Sequence, residues 1–402
     1  MRPVACVMGD LSLVRCLGRL GIPVVLATDD VKGPATRSRY VRETIEVRSG
    51  GPPGIAVQRL RSFAASCPAP PVLFYQGDDE LLLASRCRDA LADRFRFVLP
   101  PAQLVEDTVD KVRFAALAER LGLPVPETLV LRRGEASLST IEAWKCFPAV
   151  LKPAHRNGWF TSALHAEHVG NNRKAIRVLD RGELERCLPA VRAYHADFLL
   201  QAAVEGGEER IASYHAYVRE GGELAGEFTG RKVRTFPRTY GLSTHVEITD
   251  DAELRLAGRR VLAQTGFHGV VKLDFKRDAR DGRLSLLEMN PRFTLWNHPG
   301  ARAGVDLPGL VYDDLTGGPR RAAGPARAGV RLMQVRADLR AAQEARAAGE
   351  GSLARWGWEL LTATIREDLM LTDPLPSIHD LADVLARRLG LGRAAPPSPE
   401  GA

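Results

Sequence analysis

GVVKLDFKRDARDGRLSLLEMNPRFTLWNHPGARAGVDLP, residues 269–308, is the stretch whose reading decides the fold. Val270 to Arg277 alternates in type. Val271, Leu273 and Phe275 would face one side, and Lys272, Asp274 and Lys276 the other, which is the period of a half-buried strand. Arg280-Asp281-Gly282 signals a turn, and Arg283 to Asn290 reads as the returning strand. With the turn centred on Asp281, Asp274 falls directly opposite Glu288, and opposed residues in a hairpin share a face. Asn290, two residues on, lies on that face too. The hairpin thus gathers two carboxylates and an amide oxygen at one end, with Arg292 just beyond. Hard oxygen donors of this kind suit a Mg²⁺ held between protein and nucleotide phosphates. A hairpin whose charges simply face water is the other reading these residues alone allow.

Outward from this hairpin lie further segments of defined type. Asp110-Lys-Val-Arg-Phe114 opens a helical pattern that ends in Gly122-Leu-Pro-Val-Pro126. Phe147-Pro-Ala-Val-Leu-Lys-Pro153 is an apolar strand ending in a lysine, and Phe198 to Arg210 is a strand followed by an acidic turn. Thr229-Gly-Arg-Lys232 and Glu288-Met-Asn-Pro-Arg292-Phe complete the series. In this order, over about 180 residues, the segments resemble the ATP-grasp superfamily. The likeness is greatest to uncharacterised ATP-grasp carboligases and to D-aspartate ligase-like carboxylate–amine ligases, and it covers roughly residues 1 to 390.

The first hundred residues alternate strand and helix: Val4–Met8, Leu11–Leu20 ending at Gly21, Pro23–Ala27, Ile45–Val47, Ile55–Ser66, Val72–Tyr75 and Glu80–Asp93. Such alternation implies a parallel sheet and an α/β class. Gly9-Asp10 and Gly77-Asp78-Asp79-Glu80 follow strands at the carboxyl edge, where open sheets bind ligands. Turn and cap chemistry is the better reading for Gly9 and Asp10. For Asp78 to Glu80, a substrate-facing role and a plain cap remain open. The resemblance implies a Rossmann-like pre-ATP-grasp domain at 1–103 and a two-lobed ATP-grasp domain at 104–318, whose lid is about 147–203. Past Gly317-Gly-Pro319 the pattern turns helical (Ala337–Ala348, Ser352–Thr364, Ile378–Leu389), giving an extension over 319–391 and a disordered tail at 392–402.

Composition narrows the class. The chain has 402 residues, 45% hydrophobic and 26% charged, as in ordinary globular proteins. No apolar run approaches the length of a membrane span. The six cysteines have no Cys-x-x-Cys spacing, so neither a zinc site nor a disulfide framework is indicated, and a reducing cytoplasm is expected. Gly9 and Gly18 do not make a dinucleotide fingerprint, and no internal repeat is visible. The net charge is +7, yet the arginines are spread without a basic block or aromatic interleaving, so nucleic-acid binding is not expected. A positive cleft for anionic substrates accounts for the charge equally well. Only eight lysines stand against 48 arginines, and Lys111, Lys152 and Lys232 fall at motif positions, where a compact point charge is called for.

The resemblance implies a reaction and a set of roles. The family transfers a phosphoryl group from ATP to a carboxylate, and a nucleophile then attacks the acyl phosphate. ATP and Mg²⁺ (or Mn²⁺) are the implied cofactors, and a small carboxylate and an amine the implied substrates. Lys111 and Lys152 match lysines that meet the phosphates. Gln201, Ala202 and Val204 match the hinge that meets adenine, and Glu209 the ribose-binding acid, with Glu205 and Glu208 nearby. Asp274, Glu288 and Asn290 match the metal ligands. Arg231, Lys232 and Arg292 would flank the transferred phosphoryl, where cationic donors stabilise developing charge. His155, His245, His268 and His298 read as structural or substrate-facing. The loop Ala154 to Ser162 departs from the family in holding one glycine, two aromatics and an arginine, so its covering of the phosphates through Arg156, and the packing of Trp159 and Phe160 on nucleotide, stay open. Also open are a bicarbonate or non-amine reaction, a silent nucleotide-binding regulator, and a homodimer.

Overall fold

The computed structural model describes residues 2–154, 159, 162, 165 and 175–388. Most of the glycine-poor loop, including His155, Arg156 and Phe160, and the whole tail at 392–402 lie outside the described residues. Among the described residues, no helix is long and apolar enough to cross a membrane.

Three sheets organise the chain. The first is parallel, with strands β1 (Ala5–Met8), β2 (Val24–Thr28), β3 (Val41–Glu46) and β4 (Val72–Tyr75) in the order β3-β2-β1-β4. β1, β2 and β4 are near-continuous runs of buried apolar residues, as expected when helices cover a parallel sheet, while the edge strand β3 is polar and only half-buried. The second holds β5 (Thr128–Leu131), β6 (Ala149–Pro153), β7 (Ile176–Val178) and β8 (Phe198–Ala202) in the antiparallel order β5-β8-β6-β7. It takes in β5, a strand the sequence reading does not include.

The third sheet has seven strands: β9 (Ile211–Val218), β10 (Leu224–Phe236), β11 (Leu242–Thr249), β12 (Gly269–Arg277), β13 (Leu284–Asn290), β14 (Arg331–Met333) and β15 (Ile365–Arg366), ordered β13-β12-β9-β10-β11-β14-β15. The C-terminal region read as purely helical thus also supplies two short strands, β14 on β11 and β15 on β14. They are two or three residues long, too short to show a period. The helices Val335–Ala347, Leu353–Thr362 and Leu375–Arg388 follow the expected pattern with small shifts of boundary.

The two faces of this sheet bury different things. One packs Val271, Leu273, Phe275, Leu286 and Met289 against the helices Ala252–Thr265 and Lys111–Leu121. The other joins Tyr217, Phe228, Val246, Ile248 and Val270 to Val7, Leu17 and Phe74 of the first sheet's layer, through Phe293 and Trp296. One apolar core therefore runs between the first sheet and the third. It brings the carboxyl edge of β4 up to the end of β13. Within the first sheet, the turn after β1 approaches the end of β4 closely, since a Cβ on Gly9 would meet Gln76 Oε1 at 2.5 Å and its Cβ at 2.8 Å.

Candidate active site

The register of the third sheet lays out the site row by row. Asp274 pairs with Glu288 on one side and Ser213 on the other, and Ser213 pairs with Gly230. Asn290 pairs with Lys272, Lys272 with His215, and His215 with Phe228 in the neighbouring row. Cross-strand partners share a face. Asp274, Glu288 and Asn290 are therefore brought together as the alternation implied.

The route to that register differs from the expectation. Nearer the turn, Phe275 pairs with Leu286 and Arg277 with Leu284, so the ladder slips between Phe275 and Asp274. The slip is a bulge at Leu287. It lets Leu286 and Met289, three residues apart, both enter the apolar core while Glu288 and Asn290 turn to the other face. A regular strand would put Leu286 and Glu288 on the same side.

Two residues that the sequence reading left unassigned hold Asp274. Lys272 Nζ lies 2.7 Å from its Oδ2, and Ser213 Oγ makes a very short hydrogen bond to its Oδ1. Burial alone would push this carboxyl up; Lys272 and then Lys232 overcome it and hold the group well below the ordinary carboxylate range. Asp274 is thus charged although buried. Lys276, two residues on, is another cation of this face. Burial lowers its ammonium despite Glu208, Glu205 and Glu209 nearby. Both lysines lie on the alternate positions of the quoted strand, which was the available signal. His215 stacks on Phe228 with ring centroids 4.4 Å apart and meets Trp296 at 5.1 Å. Burial holds its imidazole well below its ordinary pKa, so it is neutral. Gly230 gives Trp296 room on this face, since a Cβ there would meet the ring at 2.4 Å.

Lys232 and Arg231 separate. Lys232 is two residues from Gly230 and so lies on the face of Asp274. Arg231 points the other way. Its Nη2 is 2.6 Å from Glu247 Oε2, and Arg331 holds the other oxygen of the same carboxylate at 2.9 Å. The expectation that Arg231 flanks the same group as Lys232 and Arg292 is corrected: adjacent strand residues face opposite sides.

Arg292 bridges two sheets. Its Nε donates to Asp78 Oδ1 at 2.5 Å, Nη1 to the Gln76 carbonyl at 3.0 Å, and Nη2 to Asn290 Oδ1 at 3.2 Å. Asp78 opens the helix Asp78–Arg86 just past β4. It therefore does more than start a helix, whereas Asp10 is a cap: its Oδ1 accepts from Ser12 N at 2.8 Å. Burial would lower the Arg292 pKa; Asp78, then Glu288 and Glu80, raise it.

The remaining candidates lie on the second sheet and its connections. Lys152 Nζ donates to Gln201 Oε1 at 2.9 Å, and Gln201 Nε2 donates to Thr128 Oγ1 at 2.9 Å. Lys111 Nζ donates to the carbonyls of Pro153 and Ala154, each at 3.1 Å. Ala202 N donates to the Glu127 carbonyl at 2.8 Å, and Val204 is buried. Glu209 is exposed in the short turn Glu208–Arg210. Before the turn, Glu205 pairs with Arg177 at 2.9 Å. Trp159 is fully buried among Tyr194, Phe198 and His165, so this ring pins the second sheet's core. His245 is buried, which takes its imidazole down to about 4, and His298 Nδ1 meets Glu367 Oε2 at 2.8 Å.

The donor set can be tested against Mg²⁺. Among the described residues, no three His, Cys, Asp or Glu side chains gather as a metal cage. Two carboxylates and an amide oxygen on one face, beside Lys232 and Lys272, instead fit a hard cation that takes its other oxygens from phosphates and water.

Comparisons with known proteins find relatives of the whole fold and of one segment. Residues 224–337 match the family described as ATP-grasp in the biosynthetic pathway with Ter operon. A D-aspartate ligase of Enterococcus faecium is 25% identical over 244 residues, 59% of this chain and 57% of the relative. A D-alanine–D-alanine ligase of Stutzerimonas stutzeri is 26% identical over 216 residues, 52% of this chain and 64% of the relative. The chain thus spans less than two thirds of the length of these relatives. Among solved structures, the ADP complex of an N5-carboxyaminoimidazole ribonucleotide synthetase superposes with a TM-score of 0.60 at 14% identity, covering 82% of this chain and 81% of that one. An L-amino acid ligase from Bacillus licheniformis does so with a TM-score of 0.58 at 16% identity, covering 79% and 74%. The chain thus has the fold of these ATP-grasp structures, carries a segment that matches an ATP-grasp family, and resembles carboxylate–amine ligases.

Proposed function

We propose that this protein is an ATP-dependent carboxylate–amine ligase. The carrying observation is the face on which Asp274, Glu288 and Asn290 meet Lys232, Lys272 and Arg292. Similarity to amino-acid ligases supports the choice of substrates.

In this reading a carboxylate oxygen attacks the γ-phosphorus of ATP and ADP leaves. An amine nitrogen then attacks the acyl carbon, phosphate departs with the C–O bond electrons, and the nitrogen loses a proton to give an amide. The protein's part is mostly positioning and charge. Lys111 and Lys152 bind phosphates, Gln201 to Val204 receive adenine, and Glu209 takes the ribose. Lys232 and Arg292 stabilise charge on the transferred group. Asp274, Glu288 and Asn290 would hold Mg²⁺, which neutralises phosphate charge when bound.

The test is product analysis. Purified protein is given ATP, Mg²⁺ and pools of amino acids and small acids. ADP and phosphate should form together with an amide, and hydroxylamine should trap the activated acid as a hydroxamate. AMP and pyrophosphate as main products would overturn the reading.

A further inference from the structure

We propose that Asp78, at the carboxyl edge of the first sheet, is a positioning residue that keeps the Arg292 cation from competing with the metal for Glu288 and Asn290. The proposal rests on the ligase reading only for the identity of the metal-binding face.

Arg292 touches both sides. Three of its nitrogens donate to the protein: Nε to the Asp78 carboxylate, Nη1 to the Gln76 carbonyl and Nη2 to Asn290 Oδ1. Its side chain is only 20% exposed, so its charge is poorly screened by water. Three carboxylates act on it, Asp78 most strongly, then Glu288 and Glu80. Two of its neighbours, Glu288 and Asn290, are the proposed metal ligands. A guanidinium and a divalent cation would seek the same oxygens.

Asp78 resolves that competition. Its carboxylate takes the Nε–H at 2.5 Å, the shortest of the three bonds. Charge-assisted bonds are the strong ones, so this bond fixes the plane of the guanidinium. The bond to Asn290 is the longest, at 3.2 Å, and a metal can displace it at small cost. The Asn290 oxygen is meanwhile held in a defined direction. Without Asp78, the nearest full counter-charge among the proposed ligands is Glu288, and Arg292 would turn to it. Partners behind the ligands commonly control metal affinity in this way.

The experiment measures Mn²⁺ binding in the presence of ADP, by loss of the free-ion paramagnetic resonance signal, with no acid or amine present. Asp78→Ala should weaken Mn²⁺ by about tenfold or more. Its affinity for ADP without metal and its far-UV dichroism should match the wild type. Asp78→Ala with Arg292→Gln should recover much of the lost Mn²⁺ affinity, because the orphaned cation is gone. A purely structural role would give no recovery. Mn²⁺ binding unchanged in Asp78→Ala overturns the proposal, as does loss of metal-free ADP binding along with the metal. Failure of the wild type to ligate any acid and amine would sink the ligase reading alone, because the Mn²⁺ readout needs neither substrate.

Discussion

Lys272 Nζ stands 2.7 Å from Asp274 Oδ2 in a site where both side chains are largely buried. The pair keeps a charged carboxylate in place before any metal arrives. Removing one partner of a buried pair leaves an uncompensated charge and typically costs about 3–5 kcal/mol. Lys272→Met should therefore lower the melting temperature. Mn²⁺ with ADP supplies a replacement charge, so the metal-linked rise in melting temperature should be larger in the variant than in the wild type. Calorimetry with and without MnADP measures both. An equal rise in the two proteins would mean that Asp274 does not face the metal.

Glu288→Ala and Asn290→Ala should each abolish Mg²⁺-dependent turnover while ADP still binds without metal. Both residues owe their aim to the bulge at Leu287, which turns them away from the core that holds Leu286 and Met289. Near-normal kcat in Glu288→Ala, with a native dichroism spectrum, would defeat the assignment.

Lys232 and Arg231 give opposite expectations. Lys232 shares the face of Asp274, and its removal should cost about 100-fold or more in kcat, the usual loss for a cationic donor aimed at developing charge. Arg231 is 46% exposed and pairs with Glu247 on the other face, so Arg231→Ala should cost at most about 1 kcal/mol of stability and leave the rate nearly intact. Steady-state rates of the two variants decide it. A large rate loss in Arg231→Ala with normal Lys232→Ala would reverse the strand's facing.

These contrasts mark what the sequence could carry. Alternation from Val270 to Arg277 made the hairpin and its charged face legible, because side-chain period is a local property. The same rule separates Arg231 from Lys232 once β10 is known to run unbroken through both, and the strand's extent was what the sequence lacked. The Leu287 bulge was not legible, since it answers to the core packing of Leu286 and Met289. The Asp78–Arg292 contact joins residues 214 positions apart, and no local pattern reports such a pair.

Asp306 provides a pH test away from the site. Burial pushes its carboxyl up to about 6, although the Gly309 N–H and His298 pull the other way. The unfolded carboxyl titrates near pH ~4. Between these values the folded protein keeps a proton that the unfolded chain has lost. Stability contributed by this group is full below ~4, falls as pH rises, and is lost above about 6. Asp306→Asn can still cap the helix Leu307–Thr316 and does not titrate. Relative to the wild type it should gain about 1–3 kcal/mol between pH 4 and pH 7. Urea unfolding of both proteins across that range checks this, and a constant difference at every pH would contradict it.

The last prediction concerns Lys152 and Gln201. Lys152 Nζ donates to Gln201 Oε1 at 2.9 Å, and the Gln201 amide nitrogen is bound in turn to Thr128 Oγ1. The chain crosses three strands, and the amide orients the ammonium without itself adding an opposite charge. Phosphates would meet an ammonium already aimed by that contact. Lys152→Met should weaken ADP and a nonhydrolysable ATP analogue by about 10- to 100-fold, the worth of a charged hydrogen bond. Gln201→Glu tests the same point while leaving Lys152 in place. A carboxylate at that position would pair with the lysine and offset the field that nucleotide phosphates feel. Gln201→Glu should thus weaken nucleotide binding, and Gln201→Leu should weaken it less, since the charge survives there. Calorimetric titration of the three variants gives the order. If Gln201→Glu binds ADP as tightly as the wild type, Lys152 serves the second sheet alone and the phosphates are held elsewhere.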